Sequence, residues 1–233
     1  MTPDRSQVVF GTEDMLTSLC NSVTKVLNAA TQGDITYSGM VQRIQKTCLK
    51  PDIGCFVLFD GGFSGLVILN FTAPAAMELY QRYLLSMGMA KEDLATSYTA
   101  DEVANVMGEL MNQVLGDFTS KIRRELHTHI TQNQPKILVL NKQVALSVDA
   151  NLDHPEARRV TFYTGRNNIF YLELAIDRTE FVKLYDFEQQ EAPDPDALMA
   201  QNAGTPSASP APSAPAADSG ANDTDALLRS LGM

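Results

Sequence analysis

Long apolar runs are missing from this 233-residue chain. None approaches the roughly 18 residues that a membrane-crossing helix needs, which argues against an integral membrane protein. The opening stretch MTPDRSQVVF has neither the basic nor the apolar region of a secretory signal. Cysteine is scarce. Cys20, Cys48 and Cys55 form an odd set with no metal-ligand spacing, each in an apolar context. That pattern reads as reduced, buried thiols and not as a disulfide framework. Positive charge is short as well: 18 Lys and Arg stand against 28 Asp and Glu, a formal charge of −10. Such a chain lacks the electropositive footprint of a nucleic-acid binder. Its one dense basic cluster, Lys121, Arg123 and Arg124, falls at the end of a helical pattern, where cations complement the helix dipole. The expectation is a cytoplasmic protein with no nucleic-acid partner and no membrane partner.

What is present is a folded part long enough to bury a real core. Residues 1–187 are expected to form one α+β domain: an antiparallel sheet packed with long helices, followed by a disordered tail. A first helix is predicted from Thr12 as N-cap, with Glu13 and Asp14 in its first turn. Leu16, Leu19, Cys20, Val23, Val26 and Leu27 then recur at helical spacing up to Gly33. Strands are expected over 41–47, 55–59 and 66–71, the last two joined as a hairpin through Asp60-Gly61-Gly62-Phe63-Ser64-Gly65. A glycine-rich loop can also cradle phosphate, but only ahead of a helix N-terminus, and a strand follows here. Helices are predicted over 74–87 and from Thr99 to about Leu126, the latter with a capping-box spacing between Thr99 and Glu102. Strands over 136–140, 143–148, 159–163 and 169–175 complete the sheet, with a short closing element near 179–184.

From about Glu188 the composition shifts to Pro, Ala, Ser and Asp. Residues 188–222 hold too little large apolar surface to offset the entropy of ordering, so they read as a semi-extended linker. Residues 223–233, DTDALLRSLGM, change character again: Asp223 can cap a short helix, and Leu227, Leu228 and Leu231 share one face. A helix this short is marginal alone and is expected to fold on a partner.

The chemistry is carried by residues 101–116, DEVANVMGELMNQVLG. On a helical wheel Glu102, Asn105, Glu109, Asn112 and Gly116 fall within an arc of about 80°, opposite Val103, Val106, Leu110 and Val114. The stripe contains carboxylates and amides with no Lys or Arg at i+4. Asn is a poor helix former, so two of them in mid-helix suggest a surface kept for use. A glycine in the same stripe leaves room for a partner's backbone.

Gly108-Glu109-Leu110-x-Asn112-x-x-x-Gly116 resembles the signature helix of the CheC, CheX and FliY phosphatases, a Glu-x-x-Asn pair followed by Gly. The resemblance covers about residues 10–185. It implies that Glu109 and Asn112 are the catalytic pair and that Gly116 is the close-approach glycine. It implies an aspartyl-phosphate phosphatase acting on a CheY-like receiver in chemotaxis or motility signalling. Glu102 and Asn105 form a second Glu-x-x-Asn one heptad earlier. CheC-like members keep two copies on separate helices, and the first helix here shows none, as in single-site CheX. Residues 225–233 resemble the receiver-binding peptide of CheZ, with Asp225, Leu227, Leu228 and Leu231 as docking residues and Met233 where that pattern has an aromatic. By the same resemblance the protein needs no cofactor of its own, the receiver supplies Mg2+ and a lysine, and homodimerisation follows the CheX pattern.

A non-catalytic receiver-binding adaptor or scaffold would carry the same surface. A metal enzyme is a weaker reading: His127 and His129 would share a face only on a strand, and no cluster with ligand spacing accompanies them. No serine stands in a nucleophile-elbow context.

Overall fold

The computed structural model describes residues 9–140 and 142–182. The linker at 188–222 and the peptide at 223–233, with Asp225, Leu227, Leu228, Leu231 and Met233, lie outside the described residues. In chain order the elements are β1 (Val9–Phe10), α1 (Thr12–Thr31), β2 (Thr36–Tyr37), β3 (Gln42–Ile44), β4 (Cys48–Leu49), β5 (Ile53–Gly61), β6 (Gly65–Phe71) and α2 (Ala73–Ser86). There follow α3 (Asp101–Leu126), β7 (Ile130–Gln132), β8 (Lys136–Val139), β9 (Leu146–Ser147), β10 (Pro155–Tyr163), β11 (Ile169–Asp177) and β12 (Phe181–Val182).

The main sheet runs β2-β10-β11-β6-β5-β7, with β3 also on β10 and β8 also on β5. All its pairings are antiparallel. Period-two alternation divides the strands between two cores. Cys55, Val57, Val67, Leu69, Val160, Phe162, Leu172 and Leu174 face the three helices. Leu66, Ile68, Ala157 and Ala175 face the other way, under a cover that includes Leu49 and Leu140. Cys20 and Cys55 are buried and unbonded, and burial pushes both thiols up to about 12, while Cys48 is half-buried.

The β5–β6 hairpin forms with Phe59 opposite Gly65. Gly61 has φ +151°, and a Cβ there would meet the His129 carbonyl oxygen at 2.1 Å, so the neighbouring β7 backbone requires glycine. Buried polar groups stitch loops to this frame. On α2, Glu78 accepts from the Thr164 hydroxyl at 2.5 Å and from Asn168 Nδ2 at 2.8 Å, fixing the β10–β11 turn. On the opposite face Asn70 accepts from the Lys50 N–H and donates to the Cys48 carbonyl, and Glu173 accepts from the Cys48 N–H, which holds β4 on the sheet.

Two helix starts differ from the sequence reading. Thr12 is the first residue of α1 and Gly11 is its cap; Asp14 Oδ2 accepts the Gly11 N–H at 2.9 Å. The Thr99–Glu102 capping box does not form. The Thr99 hydroxyl is hydrogen-bonded to the Ser97 hydroxyl at 2.7 Å, and α3 begins at Asp101 behind Ala100. Strands at 41–47 and 143–148 shorten to Gln42–Ile44 and Leu146–Ser147, whereas the last hairpin lengthens to nine paired residues per strand.

Candidate functional site

The 26-residue helix α3 has two unlike sides. Val103, Met107, Leu110, Met111, Val114, Leu115, Phe118 and Ile122 are buried. Glu102, Asn105, Glu109 and Asn112 are exposed, and Gly116 is half-buried. All five residues of the stripe therefore reach one side of one helix, as the spacing requires.

Three contacts fix the helix's rotation. Its apolar side is held in the core. At one flank Gly108 lies against β8, where an added Cβ would come within 2.8 Å of Ile137 Cδ1. At the other flank Asp117 receives Lys25 Nζ of α1 at 2.6 Å and Lys121 Nζ at 2.9 Å, and Lys121 also donates to Ser22 of α1 at 3.0 Å. Partial burial alone would raise the Asp117 carboxyl. Hydrogen bonds from Lys25, Lys121 and Ser22 outweigh it and hold the group at about 2. Lys121 is therefore a clamp between helices, whereas Arg123 and Arg124 are exposed.

Within the stripe, Gln113 Nε2 donates to Glu109 Oε1 at 2.9 Å, a partner not singled out by the sequence pattern. This i,i+4 bond steadies the carboxylate and leaves its second oxygen open. Among the described residues Glu102 and Glu109 enter no ion pair. Asn105 and Asn112 make no hydrogen bond with their side chains there, so both amides are available to a ligand. The two Glu-x-x-Asn pairs differ in their neighbours. One turn beyond Asn112 is Gly116, where a Cβ would meet nothing within 4 Å. One turn beyond Asn105 is the exposed carboxylate of Glu109, so Asn105 lies between two acidic residues, Glu102 and Glu109. Asn112 thus has an open glycine one turn on, and Asn105 does not.

The stripe is exposed at every residue but the half-buried Gly116. Cavities of 310, 290 and 340 Å3 are lined by none of its residues. A small substrate is ordinarily enclosed in a cleft, so an open helix face suits a macromolecular partner. Among the described residues no three of His, Cys, Asp and Glu converge as a metal site. His127 is the left-handed cap of α3 with φ 50°, and His129 precedes β7, so the two do not share a strand face.

Gly116 gives a test that separates fold from surface. Gly116→Ala is expected to raise stability by about 0.5–1 kcal/mol, the usual gain for Ala over Gly inside a helix. Gly116→Leu should fold equally well and block close approach of a partner. Urea titration of both variants, beside partner binding, checks the pair of outcomes.

The family profile described as "Protein of unknown function (DUF3334)" matches residues 6–233. The chain belongs to this family. No curated protein matches it in sequence. The DUF3334 domain has the fold of several solved chemotaxis proteins. The CheX protein of Desulfovibrio desulfuricans is 15% identical, with 70% of this chain aligned to 99% of that one at a TM-score of 0.59. A CheC-like superfamily protein from Shewanella sp. PV-4 is 16% identical over 70% of this chain and 97% of its own, at 0.57. A Borrelia burgdorferi CheX, solved as a CheX–CheY–BeF3–Mg2+ complex, is 16% identical over 71% and 99%, at 0.51. The α+β architecture of this DUF3334 member is thus the CheX/CheC architecture. No helix among its described residues is long and apolar enough to cross a membrane.

Proposed function

We propose that this chain is a phosphatase for the aspartyl phosphate of a CheY-like receiver in chemotaxis or motility signalling. The observation that carries the reading is the exposed Glu109–Asn112 pair beside an open Gly116, on one helix face of a domain with the CheX/CheC-type fold. The partnership recorded in the Borrelia complex supports the choice of partner class.

In the proposed reaction, water attacks the phosphorus in line with the acyl–phosphate bond. That bond breaks, releasing inorganic phosphate and restoring the aspartate. Asn112 orients the water: an amide accepts and donates at once and adds no negative charge beside the phosphoryl oxygens. Glu109, steadied by Gln113, pairs with the receiver's lysine and sets the docking. The receiver brings the Mg2+ that neutralises the phosphoryl oxygens. Gly116 admits the receiver's backbone.

In this scheme residues 223–233 recruit and α3 reacts. A tethered peptide raises the receiver's effective concentration to about the millimolar range if the tether spans the sites. The test follows phosphoryl decay on a CheY-type receiver with the full chain and with residues 223–233 removed. Acceleration by both, with KM raised about ten-fold or more in the shortened chain, is the expected result. Binding without acceleration would make the protein a receiver-binding adaptor. An unchanged KM would end the recruiting role of the peptide.

A further inference from the structure

The exposed stripe of α3 does not stop at Gly116. Ser120 is exposed one turn later and Arg123 is exposed one turn beyond that. At 100° per residue both lie within the arc defined by Glu102, Asn105, Glu109, Asn112 and Gly116. The basic cluster of the sequence is divided by the fold. Lys121 turns toward α1 and is taken up by Asp117 and Ser22. Arg123 keeps to the stripe and enters no ion pair among the described residues. Arg124 is also exposed but lies about 100° round the helix from Arg123, about 40° outside the arc. The face is therefore acidic in its first half, at Glu102 and Glu109, and cationic at its end, at Arg123, within a chain whose formal charge is −10.

We propose that Arg123 is a specificity-determining residue of the docking face and takes an acidic side chain on the receiver's surface, an inference that rests on the receiver reading above. At 1.5 Å per residue, Arg123 stands about 16 Å along the axis from Asn112. That is too far for both to touch one phosphoryl group, so Arg123 needs a separate anion. A partner matched to this face has a cation opposite Glu109 and an acid opposite Arg123. The order of charges along α3 then admits a receiver in one orientation and disfavours the reverse. Complementing the helix dipole is the other use for a terminal cation. That use does not distinguish Arg123 from Arg124, and a docking role does.

The experiment compares Arg123→Glu, Arg123→Gln, Arg123→Lys and Arg124→Glu in the full chain. The probe is a phosphorylated CheY-type receiver with Mg2+. Receiver affinity and phosphoryl decay are measured at low and at physiological salt, and thermal melting checks each variant. The expected result is a KM raised about three- to ten-fold in Arg123→Glu, with kcat unchanged and weaker salt dependence. Arg123→Gln should lie between, Arg123→Lys should restore most of the loss, and Arg124→Glu should stay within about two-fold of wild type. Equal effects of Arg123→Glu and Arg124→Glu, or wild-type KM in Arg123→Glu and Arg123→Gln, would overturn the proposal. If Arg123→Glu melts early, Arg123→Gln decides. A wild-type chain that neither binds nor dephosphorylates the receiver would remove the receiver reading itself. Wild-type activity with an indifferent Arg123 would remove this inference alone.

Discussion

Asn112→Ala is expected to lower the dephosphorylation rate by about 10²-fold while leaving receiver binding and folding almost untouched. The size follows from losing one pre-positioned polar group at the reacting centre, which commonly costs 10²- to 10³-fold. The separation from stability follows from the structure. Asn112 is exposed and bonds to nothing else among the described residues, and Ala is a better helix former. Urea midpoints should therefore match wild type or rise slightly. Asn112→Asp is a sharper version, because a carboxylate beside the phosphoryl oxygens adds repulsion to the loss of the amide. Asn105→Ala supplies the contrast and should retain most of the rate, since no open glycine stands one turn beyond Asn105. Single-turnover decay of the phosphorylated receiver, with affinity measured separately, distinguishes these outcomes. A full rate in Asn112→Ala would refute the assignment of the reacting residue.

The opposite signature is expected on the far face of the sheet. Arg159 on β10 donates through Nε to Glu173 Oε1 on β11 at 2.8 Å, its Nη2 stands 2.7 Å from the same oxygen, and Glu173 is 0% exposed. The two residues face each other in the strand register. Removing Arg159 leaves a carboxylate sealed in the sheet with the Cys48 N–H still bonded to its second oxygen. Losing one partner of such a pair costs about 3–5 kcal/mol. Arg159→Ala should lower the urea midpoint accordingly without changing the slope. Replacing both residues, Arg159→Met with Glu173→Leu, should recover much of the loss because no buried charge remains. The folded fraction of Arg159→Ala should turn over substrate at the wild-type rate, since the pair lies on the sheet face turned away from the helices. Destabilisation below about 1 kcal/mol would show that the charge is relieved in some other way.

These two cases also show what the residues reveal before a structure is known. The stripe on α3 is legible because its chemistry repeats with the period of the element that carries it. Glu102, Asn105, Glu109, Asn112 and Gly116 need only a regular helix to come together, and Asp101–Leu126 is one. Glu173 is different. In sequence it is one charged residue in an apolar strand, and its purpose appears only when the register places Arg159 opposite it. Helix ends fail for a related reason. Thr99 has the composition of a cap, but its hydroxyl is engaged by Ser97, a choice made in the loop. The two-residue strands β1, β2, β4, β9 and β12 are too short for any periodicity to build up, and tertiary packing decides them. The basic cluster reads in sequence as one unit, yet Lys121 ties α3 to α1 while Arg123 is exposed, because positions two apart on a helix face different ways.

The division of α3 into a buried side and an exposed side proposed to meet a partner bears on how such a protein changes over generations. Glu102, Asn105, Asn112 and Arg123 contribute no side-chain bond to the rest of the described domain. Substitutions among them are close to invisible to folding, so selection on the partner can revise the recognition surface one residue at a time without a compensating change in the interior. The buried side has no such freedom. An inserted residue anywhere between Gly108 and Asp117 would rotate everything after it by about 100°, carrying Gly116 to the α1-facing setting of Asp117 and breaking the stripe in two. Folding thus leaves descendants of this domain free to exchange letters along the stripe, where only the partner constrains them, and binds them to keep its length.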